Sequence, residues 1–240
     1  MDKRSKWTLT PRLQLLADWV PQGTRLADIG TDHGYLPVWL TLHGRISSAI
    51  AGDLRAGPLA HARATADEWS VSERIDFRLC DGLSAISPSE VDTVVIAGMG
   101  GENIAAILRS APWTQDGRHL LLLQPMSRAE ELRAFLSESG YAIRREQLVR
   151  DRGVLYPVMM AEAGTMQLSL GQLYGGAALL RDPLEDRYLI EWILRQQGAI
   201  AGLNRSASPE DQVRADELRE SITALMRMRE EWRNANCSPN

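Results

Sequence analysis

The chain has 240 residues, which at ~150 per domain suggests one large domain or a domain with a small appendage. Apolar residues make up 44% and charged residues 24%, and 27 Lys and Arg against 31 Asp and Glu leave a net charge of −4, which excludes a globally basic nucleic-acid coat but not a local basic patch. No apolar run approaches the ~20 residues of a membrane helix, MDKRSKWTLTPR has no apolar core of a secretory leader, and Cys80 and Cys237 have no evident pairing, so a cytoplasmic protein without membrane contact is expected.

From Arg25 to Glu162 short apolar runs alternate with helical patterns. Strands are predicted over Arg25–Ile29, Ser48–Asp53, Ile75–Leu79, Val91–Gly98 and His119–Gln124. Their nearly unbroken apolar character suits strands covered on both faces. Helices are predicted over Gly57–Glu68, Glu102–Ser110 and from Ser127 onward, where Glu130 stands at a capping-box distance. Such alternation predicts an α/β fold, a parallel Rossmann-like sheet with helices on both faces. Two further runs, Ala142–Val149 and Val154–Ala161, joined by Asp-Arg-Gly, predict an antiparallel hairpin at the sheet's edge.

After Gly164 the character changes, placing a domain boundary between residues 1–164 and 165–240. GTMQLSLGQLYGG reads as an aperiodic, glycine-rich linker. Leu189, Ile193, Gln196, Ile200 and Leu203 then fall at alternating spacings of four and three. NRSASP breaks that helix, and Ser208 and Pro209 are suited to cap and open the next, with its stripe of Ala215, Leu218, Ile222, Leu225 and Trp232. The expectation is a small antiparallel helical hairpin, a coiled coil, with a frayed Cys-Ser-Pro-Asn end.

The chemistry concentrates in LADIGTDHGYLP, Leu26–Pro37. A buried strand ends on Asp28, and Gly30 and Gly34 let the backbone turn tightly and approach a ligand before a helix begins. The loop lacks G-x-G-x-x-G and carries Asp32 at its middle position. An anionic side chain there would repel a dinucleotide pyrophosphate in a low-dielectric site, yet suits the sulfonium of S-adenosylmethionine. Asp53, ending the second strand, is placed to accept hydrogen bonds from both ribose hydroxyls of an adenosine. Asp81-Gly82 after the third strand would lie beside the adenine, and AGMGG, Ala97–Gly101, would expose backbone to cofactor or substrate. Each signal alone also fits a plain turn; together they point to a nucleotide-like cofactor. There is no P-loop and no G-x-S-x-G elbow, and His33, His43, His61 and His119 show no metal-ligand spacing, so no metal is expected.

These motifs, LADIGTDHGYLP with AGDLRAGPLAHA, the Asp-Gly pair, VVIAGMGG and LLLQP, resemble the bacterial tRNA (adenine(22)-N1)-methyltransferase family from about Arg12 to Ala163. The resemblance implies a class I methyltransferase fold with a C-terminal coiled-coil domain, S-adenosylmethionine as cofactor and tRNA as partner. It implies a cofactor site of Gly30, His33, Asp53, Asp81, Gly82, Ala97, Gly98 and Met99, and places Asp32 at the methyl-transfer site. Two departures are visible: Met126 replaces the asparagine of LQPN, and Pro157 replaces the glutamate of Tyr-Glu.

Adenine N1 carries an in-plane lone pair, so the enzyme would position it and unpair it from the tRNA without a strong base. Asp32 would accept a hydrogen bond from the N6 amino group. Residues 165–240 carry a net charge of −2, whereas Lys3, Arg4, Lys6 and Arg12 give the first twelve residues +3. Arg128, Arg144, Arg145, Arg150 and Arg152 are further candidates for phosphate contacts. The hairpin would either recognise tRNA shape or mediate dimerisation. The competing expectations are a small-molecule methyltransferase on the same fold, a non-catalytic RNA-binding protein with a vestigial site, and, opposed by Asp32, a nicotinamide-dependent oxidoreductase.

Overall fold

The computed structural model describes residues 7–179, 181–206 and 208–236. The cationic residues Lys3, Arg4 and Lys6 and the terminal Cys-Ser-Pro-Asn lie outside them. The described chain runs α1 (Pro11–Trp19), β1 (Thr24–Ile29), α2 (Tyr35–Leu42), β2 (Ile46–Asp53), α3 (Ala56–Glu68), β3 (Ile75–Leu79), β4 (Thr93–Gly100), α4 (Gly101–Ser110), β5 (Leu120–Ser127), α5 (Ala129–Glu138), β6 (Tyr141–Asp151), β7 (Val154–Ala163), α6 (Leu170–Gly175), α7 (Glu185–Leu203) and α8 (Pro209–Asn236).

The strands form one seven-stranded sheet in the order β3-β2-β1-β4-β5-β7-β6. The first five are parallel, and β7 runs antiparallel to β5, with Leu122 opposite Met160. Apolar runs are required because both faces are covered. On β5, Leu121 and Leu123 pack with Ile104 and Leu108 of α4 and Leu132 and Leu136 of α5. Leu122 between them points the other way, to Leu16 of α1 and Leu36 and Leu40 of α2. The order reverses between β1 and β4, so a crevice opens outside their carboxyl ends. The β6–β7 turn uses Arg152 and Gly153 at φ 49° and 85°, the positive pair of a two-residue hairpin.

Two local expectations are corrected. Ser127 does not start a helix: β5 runs on through it, paired with Gly100, and Arg128 at φ 54° turns the chain into α5. Gly101 is needed at this turn, because a Cβ there would collide with the Arg128 carbonyl oxygen. The stretch read as a linker contains α6, whose Ser169 and Gln172 form a reciprocal capping box.

The chain divides into two compact units: one runs through Arg145 and resumes over Val149–Met166, and the other comprises Glu146–Leu148 and the chain from Gln167. In the second, α7 and α8 are antiparallel. Asp186 at the start of α7 pairs with Arg229 near the end of α8 at 2.7 Å, and Gln196 donates to Ser221 Oγ midway at 3.0 Å. Leu189, Ile193 and Leu225 form its core, with Tyr174 of α6 against them.

Candidate active site

The loop between β1 and α2 is held by its own backbone. Gly30 and Thr31 N–H donate to the Gly52 carbonyl at 2.9 and 3.1 Å, tying it to the end of β2, and Gly34 N–H closes a turn onto Thr31 O at 2.8 Å. Gly34 takes φ 67°, and a Cβ there would lie 2.9 Å from Ala62 Cβ of α3, so α3 can approach only a glycine.

Four carboxylates gather around this loop. Asp28 is buried and accepts from Thr31 Oγ1 at 2.6 Å; burial, opposed by that bond and reinforced by the charge of Asp53, pushes its pKa up to about 6. Asp53 is buried at the end of β2, its Oδ1 accepting from Arg55 N–H at 2.9 Å and its Oδ2 from Asp32 N–H at 3.5 Å. Asp81 is exposed on the loop after β3. Asp32 stands at φ 50°, an uncommon conformation for a non-glycine residue, with a side chain 67% exposed. That exposure corrects the low-dielectric argument: at 4 Å in a watery setting a like charge costs only about 1 kcal/mol.

Two cavities adjoin here. One, of about 620 Å³, is lined by Asp53, Leu54, Asp81, Gly82, Met99 and Ile107 among others. The other, of about 480 Å³, is lined by Arg12, Asp28, Thr31, His33, Tyr35, Met126 and Arg152 among others. Gly30, Asp32, Ala97 and Gly98 line both. The structure thus brings Asp28, Gly30, Asp32, His33, Asp53, Asp81, Gly82, Ala97, Gly98 and Met99 to one cleft, while Gly34 sits beneath the loop against α3. The walls Leu54 and Ile107 escaped sequence reasoning because they are ordinary apolar residues.

Arg12 is not a free cation. It donates to Asp151 Oδ2 at 2.7 Å, to Gln124 Oε1 at 2.9 Å and to Met126 Sδ at 3.0 Å. Arg128 pairs with Glu131 and Arg144 with Glu162, each at 2.8 Å, and Arg145 lies over the Trp19 ring. Arg152 is exposed and has no ion pair among the described residues. Pro157 lies on β7 beyond the rungs that pair with β5, which end at Met159. His119 is structural, bonded to Asp116 and the Pro88 carbonyl. Among the described residues no cluster of metal-binding side chains occurs, and no helix is long and apolar enough to cross a membrane.

Residues 9–159 match a family described as "Methyltransferase domain". The tRNA (adenine(22)-N(1))-methyltransferase of Bacillus subtilis is 38% identical over 174 residues, 70% of this chain and 73% of its own. The crystal structure of a Bacillus subtilis m1A22 tRNA methyltransferase superposes with a TM-score of 0.84 at 31% identity, covering 92% of this chain and 98% of that one. A Streptococcus pneumoniae protein assigned as a tRNA (m1A22) methyltransferase, solved in complex with S-adenosyl-L-methionine, superposes at 0.77 with 34% identity, covering 92% and 99%.

Proposed function

The chain belongs to the tRNA (adenine(22)-N1)-methyltransferase family, and we propose that it transfers the methyl group of S-adenosylmethionine to N1 of adenine 22 in tRNA. The observation that carries this reading is that Asp32 lines both cavities. One cavity suits an adenosine and the other a second base, and Asp32 stands where they meet.

The residues fit the cofactor. Asp53 offers two carboxylate oxygens at the end of β2 for vicinal ribose hydroxyls, and Asp81 offers an acceptor for an adenine amino group. Leu54 and Ile107 supply apolar walls for the ring. Asp28, Gly30 and His33 border the methyl-donor end, with Ala97, Gly98 and Met99 of β4 beneath. S-adenosylmethionine supplies an electrophilic methyl on a sulfonium cation.

The protein's own work is positional and electrostatic. Asp32 accepts from the N6 amino group of the target adenine, which orients the N1 lone pair and stabilises the positive charge the base gains on methylation. Met126 and Leu13 bound the cavity that receives the base, and Arg12 fixes that boundary by tying α1 to the end of β5 and to Asp151. Arg152, beside the same cavity and with no ion pair among the described residues, is placed to meet a phosphate. We assign the catalytic part to residues 1–164 and the helical part to 165–240, and place the enzyme in the cytoplasm where tRNA is processed.

Incubation with methyl-labelled S-adenosylmethionine and unmodified tRNA, followed by nucleoside mapping, tests this reading. Label on N1 of adenine 22 is expected. Label on another nucleoside, or transfer only to small molecules without RNA, would overturn it.

A further inference from the structure

His61 has no place in the reaction described so far, and neither has the ring of Tyr35, yet both belong to a continuous series of aromatic contacts that ends at the catalytic cleft. Tyr35 opens α2 and is 42% exposed. Its ring lies nearly parallel to that of His33, with centroids 5.2 Å apart and planes 11° from parallel. His33 in turn lies parallel to His61 of α3, again at 5.2 Å, with planes 7° apart. His61 is exposed, and the His33 side chain is 44% exposed.

The stack is anchored rather than loose. The edge of Tyr35 meets Trp7 at 6.2 Å and 81°. Trp7 stacks on Trp69, at the far end of α3, at 4.8 Å and 5°. The Trp7 carbonyl accepts from the Trp39 indole at 3.2 Å. Half-buried Trp7 therefore buttresses Tyr35, and His33 and His61 continue from Tyr35 in near-parallel planes. Two of them, His33 and Tyr35, line the cavity that Asp32 and Met126 share.

Flat parallel rings on a rigid support, beside a pocket sized for one base, match the requirements of single-stranded nucleic acid. An adenine can present N1 only after leaving its pair and its stack, and its neighbours then lose a stacking partner. We propose that Tyr35, His33 and His61 form a stacking platform for the unpaired nucleobase flanking the methylated adenine. Arg152, on the same cavity, meets the intervening phosphate. The proposal rests on the tRNA reading above and adds to it how the flanking nucleotide is held.

The test uses the full chain and a tRNA transcript carrying 2-aminopurine on either side of adenine 22. Wild-type protein is expected to quench one of the two positions. His61→Ala, an exposed change on a helix surface, should raise the KM for tRNA about tenfold and weaken the quench. It should leave kcat at saturating tRNA within about twofold, since His61 touches neither reacting group. His61→Phe, which keeps a ring, should restore both KM and quench. A merely structural histidine would shift neither in this pattern. An unchanged KM and quench in His61→Ala would overturn the platform, as would methylation of adenine 22 by wild type with no quench at either neighbour. Quenching that responds to His61 while no methyl reaches adenine 22 would instead overturn the reaction and leave the platform standing.

Discussion

Asp53 shows how one carboxylate both builds the site and serves it. Its two oxygens accept from the Arg55 and Asp32 backbones at 2.9 and 3.5 Å, so it sets the β2 terminus and the loop carrying Asp32 together. Losing hydrogen bonds to a charged acceptor costs about 1.5–3 kcal/mol. Asp53→Ala should therefore raise the S-adenosylmethionine dissociation constant roughly 10- to 100-fold in a calorimetric titration. Asp32→Asn keeps the shape and tolerates a positive φ but removes the charge. It should slow methyl transfer by roughly 10²-fold or more while cofactor binding persists; full turnover would reduce Asp32 to loop architecture. Asp28 makes a pH prediction. With its pKa pushed up to about 6 by burial, it is ionised at neutral pH and attracts a cationic ligand. Below pH 6 it must first lose a proton, so cofactor affinity should fall on acidification, and Asp28→Asn should flatten that part of the profile. These acids were legible in the sequence because Asp53 closes β2 beside Gly52, and Asp28 near the end of β1 and Asp32 in the loop after it each stand two positions from Gly30. The Arg12–Asp151 pair was not, since its partners lie 139 positions apart, and neither was the aromatic series, which joins residues from four separate stretches.

Elements were legible where burial dictates their composition. The five parallel strands read as apolar runs because helices cover both faces of the sheet. α6 is not legible as a period because six residues are too few to show one, although Ser169 and Gln172 carry the capping signal three positions apart. The start of α5 departs from the sequence pattern because a serine followed by Glu130 imitates a cap, whereas pairing with Gly100 keeps Ser127 in β5. That junction gives a stability prediction. Gly101 faces the Arg128 carbonyl across the β4–β5 edge, and a methyl group must push α4 and that turn apart. Gly101→Ala should cost about 1–3 kcal/mol or more in denaturant unfolding, and an unchanged midpoint would contradict the close contact.

At the level of the whole molecule the two units answer to different constraints. The helical unit carries a buried acidic group, Glu185, 1% exposed, whose Oε2 has no hydrogen-bond partner among the described residues. Burial, with Asp182 and Glu146 nearby, pushes its pKa up to about 8. A folded pKa above the unfolded one means the contribution is fully present below about pH 4.5 and is lost as pH rises through 8. The urea midpoint of the helical signal should therefore fall between pH 6 and 9, and Glu185→Gln should remove most of that slope. The sequence showed this unit's stripe but not Glu185's setting, because Glu146 reaches it from β6, far along the chain. Methyl transfer as proposed requires the cleft to take its cofactor in one direction. A crystal structure of the full chain with S-adenosylhomocysteine measures this directly. The expected result has the ribose hydroxyls on Asp53, the adenine between Leu54 and Ile107, and the sulfur facing the cavity shared by Asp32 and Met126. An adenosine lodged elsewhere, or a sulfur turned away from Asp32, would contradict it.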